Sequence, residues 1–233
     1  MKVELLAYTP EPEILAALSA ATSFREKGAS LRKDKMTPEK AKKILRRVIS
    51  YGHHSVIEHA SFTFSLEGVS RALTHQLVRH RIASYTQQSQ RYVKITTNND
   101  DWYVIPPTYD NEEKKEKFKK RMKIMASWYQ EALKEGFPGE DARFYLPNAT
   151  KSNIVVTMNA RELLHFFKLR CCARCQWELR GVADEMLRQV KKIAPVIFEK
   201  AGPSCVALGF CPEGELKPKE CNTVEIKKRF SSL

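Results

Sequence analysis

The sequence predicts an α+β fold, an antiparallel β-sheet flanked by long helices in a single domain. Three observations carry this expectation. Residues 60–67 alternate strictly: Phe62, Phe64 and Leu66 face one way, and Ser61, Thr63, Ser65 and Glu67 the other, the two-residue period of a half-buried strand. Longer stretches place apolar residues three and four positions apart, the period of amphipathic helices. Strands and helices do not alternate regularly, which argues against a doubly wound parallel sheet.

The elements follow in order. Residues 2–8 read as a strand. A helix starts near Pro10 to Pro12, where proline suits the first turn, and carries Ile14, Leu15, Ala17 and Leu18 on one face. Thr37-Pro38-Glu39 opens a second helix with a stripe of Ala41, Ile44, Leu45, Val48 and Ile49, closed by Gly52. After the alternating strand a helix runs from about Val69 through Ala72, Leu73, Leu77 and His80, then passes into a loop. Residues 111–135 form a long lysine-rich helix with Phe118, Met122, Met125, Tyr129, Ala132 and Leu133 inside; its lysines read as a solvated face. Residues 153–157 read as a strand, and Asn159 as the cap of a helix carrying Leu163, Leu164 and Phe167. A last long helix runs through Trp177, Val182, Met186 and Val190 and stops near Pro195. The tail from Gly202 has weak periodicity, so residues 1–202 are expected to form the domain and 203–233 an extension of unknown role.

With 233 residues and 42% hydrophobic side chains the chain can build a packed core, and disorder is not expected. A formal charge of +13 points to an anionic partner, whether nucleic acid, nucleotide, phosphorylated cofactor or acidic lipid. No apolar run approaches the roughly 18 residues that span a bilayer, and the N-terminus reads as a strand rather than a signal peptide. No membrane partner and a cytoplasmic location are therefore expected. Six cysteines, at 171, 172, 175, 205, 211 and 221, fall in the last third. Cys172 and Cys175 have the spacing of a zinc half-site that Cys205, Cys211 and Cys221 could complete; a structural metal, a disulfide and buried thiols all stay open.

Residues 79–91 are the most informative stretch. Three arginines and a histidine share it with two serines and three glutamines, and no carboxylate offsets them. A helix C-terminus partly accounts for Arg79 and Arg81. Uncompensated guanidinium forks also suit planar, multiply charged anions. His53-His54-Ser55-Val56-Ile57-Glu58-His59 is a second polar cluster, readable as caps and a core histidine, or as a wall for an aromatic heterocycle. It lacks metalloprotease spacing, and no metal is expected there. Neither a dinucleotide glycine fingerprint nor a phosphate-binding P-loop occurs, so any dinucleotide must be held by side-chain forks and helix ends. No helix-turn-helix or zinc-finger spacing occurs either, which disfavours a nucleic-acid partner.

Arg79-His80-Arg81, seven residues, then Ser89 resembles the signature of the flavin-dependent thymidylate synthases. The likeness extends over most of the chain: Ser23, Gly52-His53 with Glu58-His59, Gln76, Ala142-Arg143 with Leu146-Pro147, Asn159-Ala160-Arg161, and Leu169-Arg170 with Gln176-Trp177-Glu178. The resemblance implies a homotetrameric methyltransferase of de novo thymidylate biosynthesis. It would convert dUMP to dTMP with 5,10-methylenetetrahydrofolate as carbon donor, FAD as cofactor and NADPH as reductant. Gln76, Arg79, Gln87, Ser89, Gln90, Arg91, Arg143 and Arg170 match positions that hold dUMP. Ser23, Ser55, Glu58, Arg79, His80, Arg81, Asn159, Arg161 and His165 match FAD contacts. Arg170, His53 and Ser89 make the catalytic set, with Ser89 read as a nucleotide ligand because no base at fixed spacing activates it. Gln87 stands where a family carboxylate is common, and Gln90 where glycine is common. A nucleic-acid-binding protein and a flavoprotein of another reaction class are the competing readings.

Overall fold

The computed structural model describes residues 1–219 and 221–232; Glu220 and Leu233, within the expected extension, lie outside the described residues. Its sheet has four strands in the order β1-β2-β4-β3: β1 (Lys2–Tyr8), β2 (Ser61–Ser70), β3 (Ala83–Gln87) and β4 (Lys151–Asn159). Thr9 N–H donates to the Ser61 carbonyl, whereas Met1 lies beside Gly68, so β1 and β2 run antiparallel. Thr63 and Thr157 share a hydroxyl bond of 2.9 Å and Ala160 N–H donates to the Ala60 carbonyl, which fixes β2 antiparallel to β4. Phe62, Phe64 and Leu66 on β2 and Ile154, Val156 and Met158 on β4 are buried, as the alternation requires.

The chain gathers into two compact units. One comprises residues 1–2, 66–79 and 85–155, the other residues 3–65, 80–84 and 156–233. The first contains α3 (Arg71–Leu77), α4 (Glu112–Lys134) and α5 (Gly139–Ala142). Its core is built on Trp102, Tyr103, Met122 and Ala126, and on Tyr129, Ala132 and Ala142. Asn111 caps α4, its Oδ1 accepting from Lys114 N–H at 2.9 Å. The lysine face of α4 is a solvated one: Lys114, Lys115, Lys117 and Lys119 pair with acids three or four residues earlier.

The second unit contains α1 (Pro12–Thr22), α2 (Pro38–Ser50), α6 (Ala160–Arg170), α7 (Trp177–Ile193), α8 (Ser204–Leu208) and α9 (Thr223–Ser231). Phe62, Phe167 and Phe198 interlock edge to face in its core, with Leu45 and Ile57 also fully buried. Gly52 has φ 78°, the left-handed conformation that closes α2 where the sequence placed a glycine cap.

Three local expectations are corrected, and the tail gains structure that its weak periodicity did not show. The stripe of α1 is Ala16, Ala17, Leu18, Ala20 and Ala21, while Leu15 is exposed, because the tight contact with α2 admits small side chains. The third helix starts at Arg71, capped by Ser70, and ends at Leu77, so His80 is not on it. Residues 83–87 are a strand rather than loop, their pairing supplied by β4, which local sequence does not show. The tail holds α8 and α9. Phe230 on α9 is buried against Gly202, where an added Cβ would stand 3.0 Å from the ring, and Lys191 Nζ donates to the Phe230 carbonyl at 2.6 Å.

Candidate active site

The predicted residues divide between the units, and the chain changes unit between Arg79 and His80.

In the second unit, Asn159 ends β4 and caps α6, its Oδ1 accepting from Glu162 N–H at 2.9 Å. That cap starts a helix presenting Glu162, His165 and Arg170. His80 lies buried among them, 4% exposed. Its Nδ1 lies 3.1 Å from Glu162 Oε1, and Arg170 Nε donates to its Nε2 at 2.9 Å. Phe166 and His165 meet the imidazole edge to face, with centroids 5.0 and 5.7 Å away. Burial, then the Arg170 and His165 charges, lower the His80 pKa to about 4, so the ring is neutral at physiological pH. Burial raises the Glu162 carboxyl, and His165 pulls it back. Arg170 also approaches Cys175, whose thiol is raised by burial and lowered by that guanidinium.

The possible ligand atoms of His80, Glu162 and His165 lie within 4.8 Å of one another. Both His80 nitrogens are already engaged and a guanidinium stands beside one, so the arrangement is a hydrogen-bonded network and a poor cation site.

Glu58 and Arg161 form an exposed ion pair. Arg161 stands in the first turn of α6, where the helix end favours anions. Ser23, Ser55, His53 and Arg81 are exposed, and no hydrogen bond ties Ser23, Ser55 or Arg81 to this network among the described residues. His53 meets the Tyr51 ring edge on at 6.4 Å. Tyr51 lines a cavity of about 730 Å³ formed by α1, α2 and the segment between them. Its walls carry Arg25, Arg32, Lys35, Lys40, Lys43 and Arg47 beside Phe24, with no carboxylate among the described lining residues. The Arg32 Nε in that wall is buried without a hydrogen-bond partner among the described residues. Sequence reading missed this basic cavity because its cations are dispersed from 25 to 47 and converge only when α1 and α2 pack.

In the first unit, Gln76 is half-buried and Arg79 exposed just beyond α3. Gln87 Nε2 donates to Thr74 Oγ1 and Ser152 Oγ, both at 3.1 Å, so this glutamine braces β3 and β4. Ser89 Oγ accepts from Arg91 N–H at 3.2 Å, and the Ser89 carbonyl accepts from Tyr92 and Val93, which folds the segment into a turn. The Gln90 side-chain nitrogen is buried with no partner among the described residues. Arg91 Nε donates to Glu140 Oε2 at 2.8 Å, and Arg143 Nε donates to the Glu140 carbonyl at 3.0 Å. Arg71, which opens α3 and which sequence reading did not single out, has its pKa lowered by burial and by Arg143. Arg91 thus meets the Glu140 carboxylate, Arg143 the Glu140 carbonyl, and Arg71 stands close enough to Arg143 to feel its charge. This surplus of guanidinium suits a phosphate.

The family profile described as "Thymidylate synthase complementing protein" (Thy1) matches residues 4–196. The chain belongs to the flavin-dependent thymidylate synthase family. A relative of that name from Geobacter sulfurreducens is 47% identical over 233 residues, covering 100% of this chain and 99% of the relative. One from Pyrococcus abyssi is 48% identical over 227 residues, covering 95% and 93%. The crystal structure of flavin-dependent thymidylate synthase ThyX from Helicobacter pylori, complexed with FAD and dUMP, has a similar fold. Its TM-score is 0.68 at 22% identity, covering 87% of this chain and 100% of that one.

Proposed function

We propose that the chain methylates dUMP at C5 to give dTMP, using FAD, with 5,10-methylenetetrahydrofolate as carbon donor and NADPH as reductant. The observation that carries this reading is the group of Arg71, Arg91 and Arg143, in which Arg91 meets the Glu140 carboxylate, Arg143 its carbonyl and Arg71 feels the charge of Arg143, beside a buried Gln90 donor without a partner among the described residues. A nucleoside monophosphate offers both what that set lacks: a dianion and hydrogen-bond acceptors on a base. Ser89, Gln76, Gln87 and Arg79 complete the nucleotide set. Gln87 acts by bracing the strands, since both donors of its amide nitrogen go to Thr74 and Ser152.

The residues of the second unit fit FAD. Arg81 and Arg161 supply exposed cations for a diphosphate, the first turn of α6 adds backbone donors, and His53 and His165 offer exposed rings. Bound flavin supplies the hydride chemistry. The protein's own part is to orient rings, exclude water and stabilise negative charge developing on uracil as C5 becomes nucleophilic, the task assigned to Arg170. The basic, partly apolar cavity beside His53 suits an aromatic polyanion such as the folate or the nicotinamide dinucleotide phosphate.

The finer assignments rest on the resemblance: the residue roles above, a homotetramer with active sites between subunits, cytoplasmic residence, and residues 203–233 as an extension of the family domain. Among the described residues no helix is long and apolar enough to cross a membrane.

Purified protein should show the visible absorption bands of oxidised flavin, or acquire them with added FAD. With folate and NADPH it should release tritium from C5-labelled dUMP. A colourless protein that takes up no FAD sinks the proposal. A yellow protein that releases no tritium would be a flavoprotein of another reaction class.

A further inference from the structure

We infer that Glu162 is a positioning residue for the reaction, fixing the proton of His80 so that His80 can hold the Arg170 guanidinium in place. The inference rests on the assignment of Arg170 to the substrate uracil.

The argument follows from what each group can donate. An arginine side chain has donors only, so in the 2.9 Å bond between Arg170 Nε and His80 Nε2 the imidazole nitrogen must be the acceptor. A histidine nitrogen accepts only when it carries no proton, and a neutral ring then carries its proton on Nδ1. That Nδ1–H points at Glu162 Oε1, 3.1 Å away. The three groups therefore allow one self-consistent arrangement: Glu162 accepts, His80 donates and accepts, Arg170 donates.

Remove the acceptor at 162 and the native tautomer is left with a buried, unpaired Nδ1–H, a cost the ring escapes only by moving its proton to Nε2. Its Nε2–H would then face the Arg170 N–H, two donors opposed, and the guanidinium would swing away. His80 and Glu162 are both nearly fully buried, 4% and 6% exposed, so water cannot substitute for the missing partner. The depressed basicity of His80 agrees, because it keeps the ring neutral and able to accept. The carboxylate orients the ring and the ring orients the guanidinium. Glu162 also has a fixed backbone position, since its own N–H is held by the Asn159 cap.

The test uses full-length protein loaded with FAD. Glu162→Met fills the same space without an acceptor, and Glu162→Gln keeps one. We expect Glu162→Met to lower kcat/KM for dUMP about 10- to 100-fold, the range for losing a charge-assisted bond, with flavin content unchanged. Glu162→Gln should recover most of that loss. Nitrogen NMR of labelled histidine should show His80 protonated on Nδ1 in the native and Gln proteins, and shifted toward Nε2 in the Met protein. In an Arg170→Ala background the Met substitution should cost less than about 3-fold, because the group it positions is gone.

Equal losses in the Arg170 and Arg170→Ala backgrounds, or an unchanged His80 tautomer, would overturn the inference. If the Met variant does not fold, the same cycle with Glu162→Ala decides it. The tautomer measurement needs no substrate, so it stands even if the native chain proves inactive on dUMP. That inactivity would instead overturn the functional reading.

Discussion

His80 shows how much a single side chain can constrain. Its folded pKa of about 4 lies below the ordinary value near 6.5, so as pH falls the unfolded chain takes up a proton first. The stability this ring protects is complete above about pH 6.5 and drains away toward pH 4, by roughly 3 kcal/mol in all. Urea midpoints measured between those limits should fall steeply for the native protein and less steeply for His80→Gln, which has nothing to titrate. Glu162, Arg170 and His165 face the ring, and protonating it would set a cation beside Arg170. Ser89 plays a different part: its hydroxyl already shapes the turn that carries Arg91. Ser89→Ala should therefore weaken dUMP binding and turnover together. Loss of turnover with intact binding, measured by calorimetry, would make it a reacting group instead. Cys171 is 4% exposed, and burial, reinforced by Asp184, raises its thiol well above the usual range. It should resist thiol reagents until the protein unfolds, with mass mapping as the readout.

At the scale of elements, two caps with the same chemistry separate stability from function. Asn111 caps α4 and Asn159 caps α6, each by accepting from an N–H three residues on. Asn111→Ala should cost about 1 kcal/mol and leave activity per folded molecule unchanged. Asn159→Ala should cost a similar amount and lower activity as well, since α6 presents Glu162, His165 and Arg170. Thermal melts alongside initial rates would distinguish them.

These helices were legible in the sequence, and the Asn159 cap with them, because the cap residue and the apolar period are local. So was β2, whose alternation is unbroken from Phe62 to Leu66. The strand β3 was not, because Ala-Ser-Tyr-Thr-Gln has no buried stripe of its own and becomes a strand by pairing with β4. The tail helices were hidden for a similar reason: α9 is held by Phe230 packing on Gly202 and by Arg229 reaching Asp184, contacts distant in sequence. Within the site, the signature arginines could be read directly. Glu162, Glu140 and Arg71 could not, because each looks like an ordinary helix residue until its long-range partner is known.

For the whole molecule, the net charge of +13 is informative only once it is located. Much of the most lysine-rich helix is compensated by its own acids. The cavity between α1 and α2, by contrast, gathers six cations with no carboxylate among its described lining residues. Attraction of anionic substrates to such exposed charge is screened over about 8 Å at physiological ionic strength. Raising salt from low to moderate concentration should therefore raise KM for dUMP and NADPH severalfold while kcat changes little, as steady-state titrations would show. An effect confined to kcat would place the electrostatics elsewhere.

The excess of arginine beside Glu140 has a pharmacological consequence. Glu140 is bonded to Arg91 through its side chain and to Arg143 through its backbone, and it is the only acid shown bonded to that cluster among the described residues. A deoxyuridine analogue without its phosphate would leave the surplus guanidinium charge unanswered. Uracil-based inhibitors of this protein should therefore depend on a phosphate, or on a bidentate phosphate mimic, for most of their potency. Compounds that enter cells as neutral nucleosides would act only after a kinase has charged them.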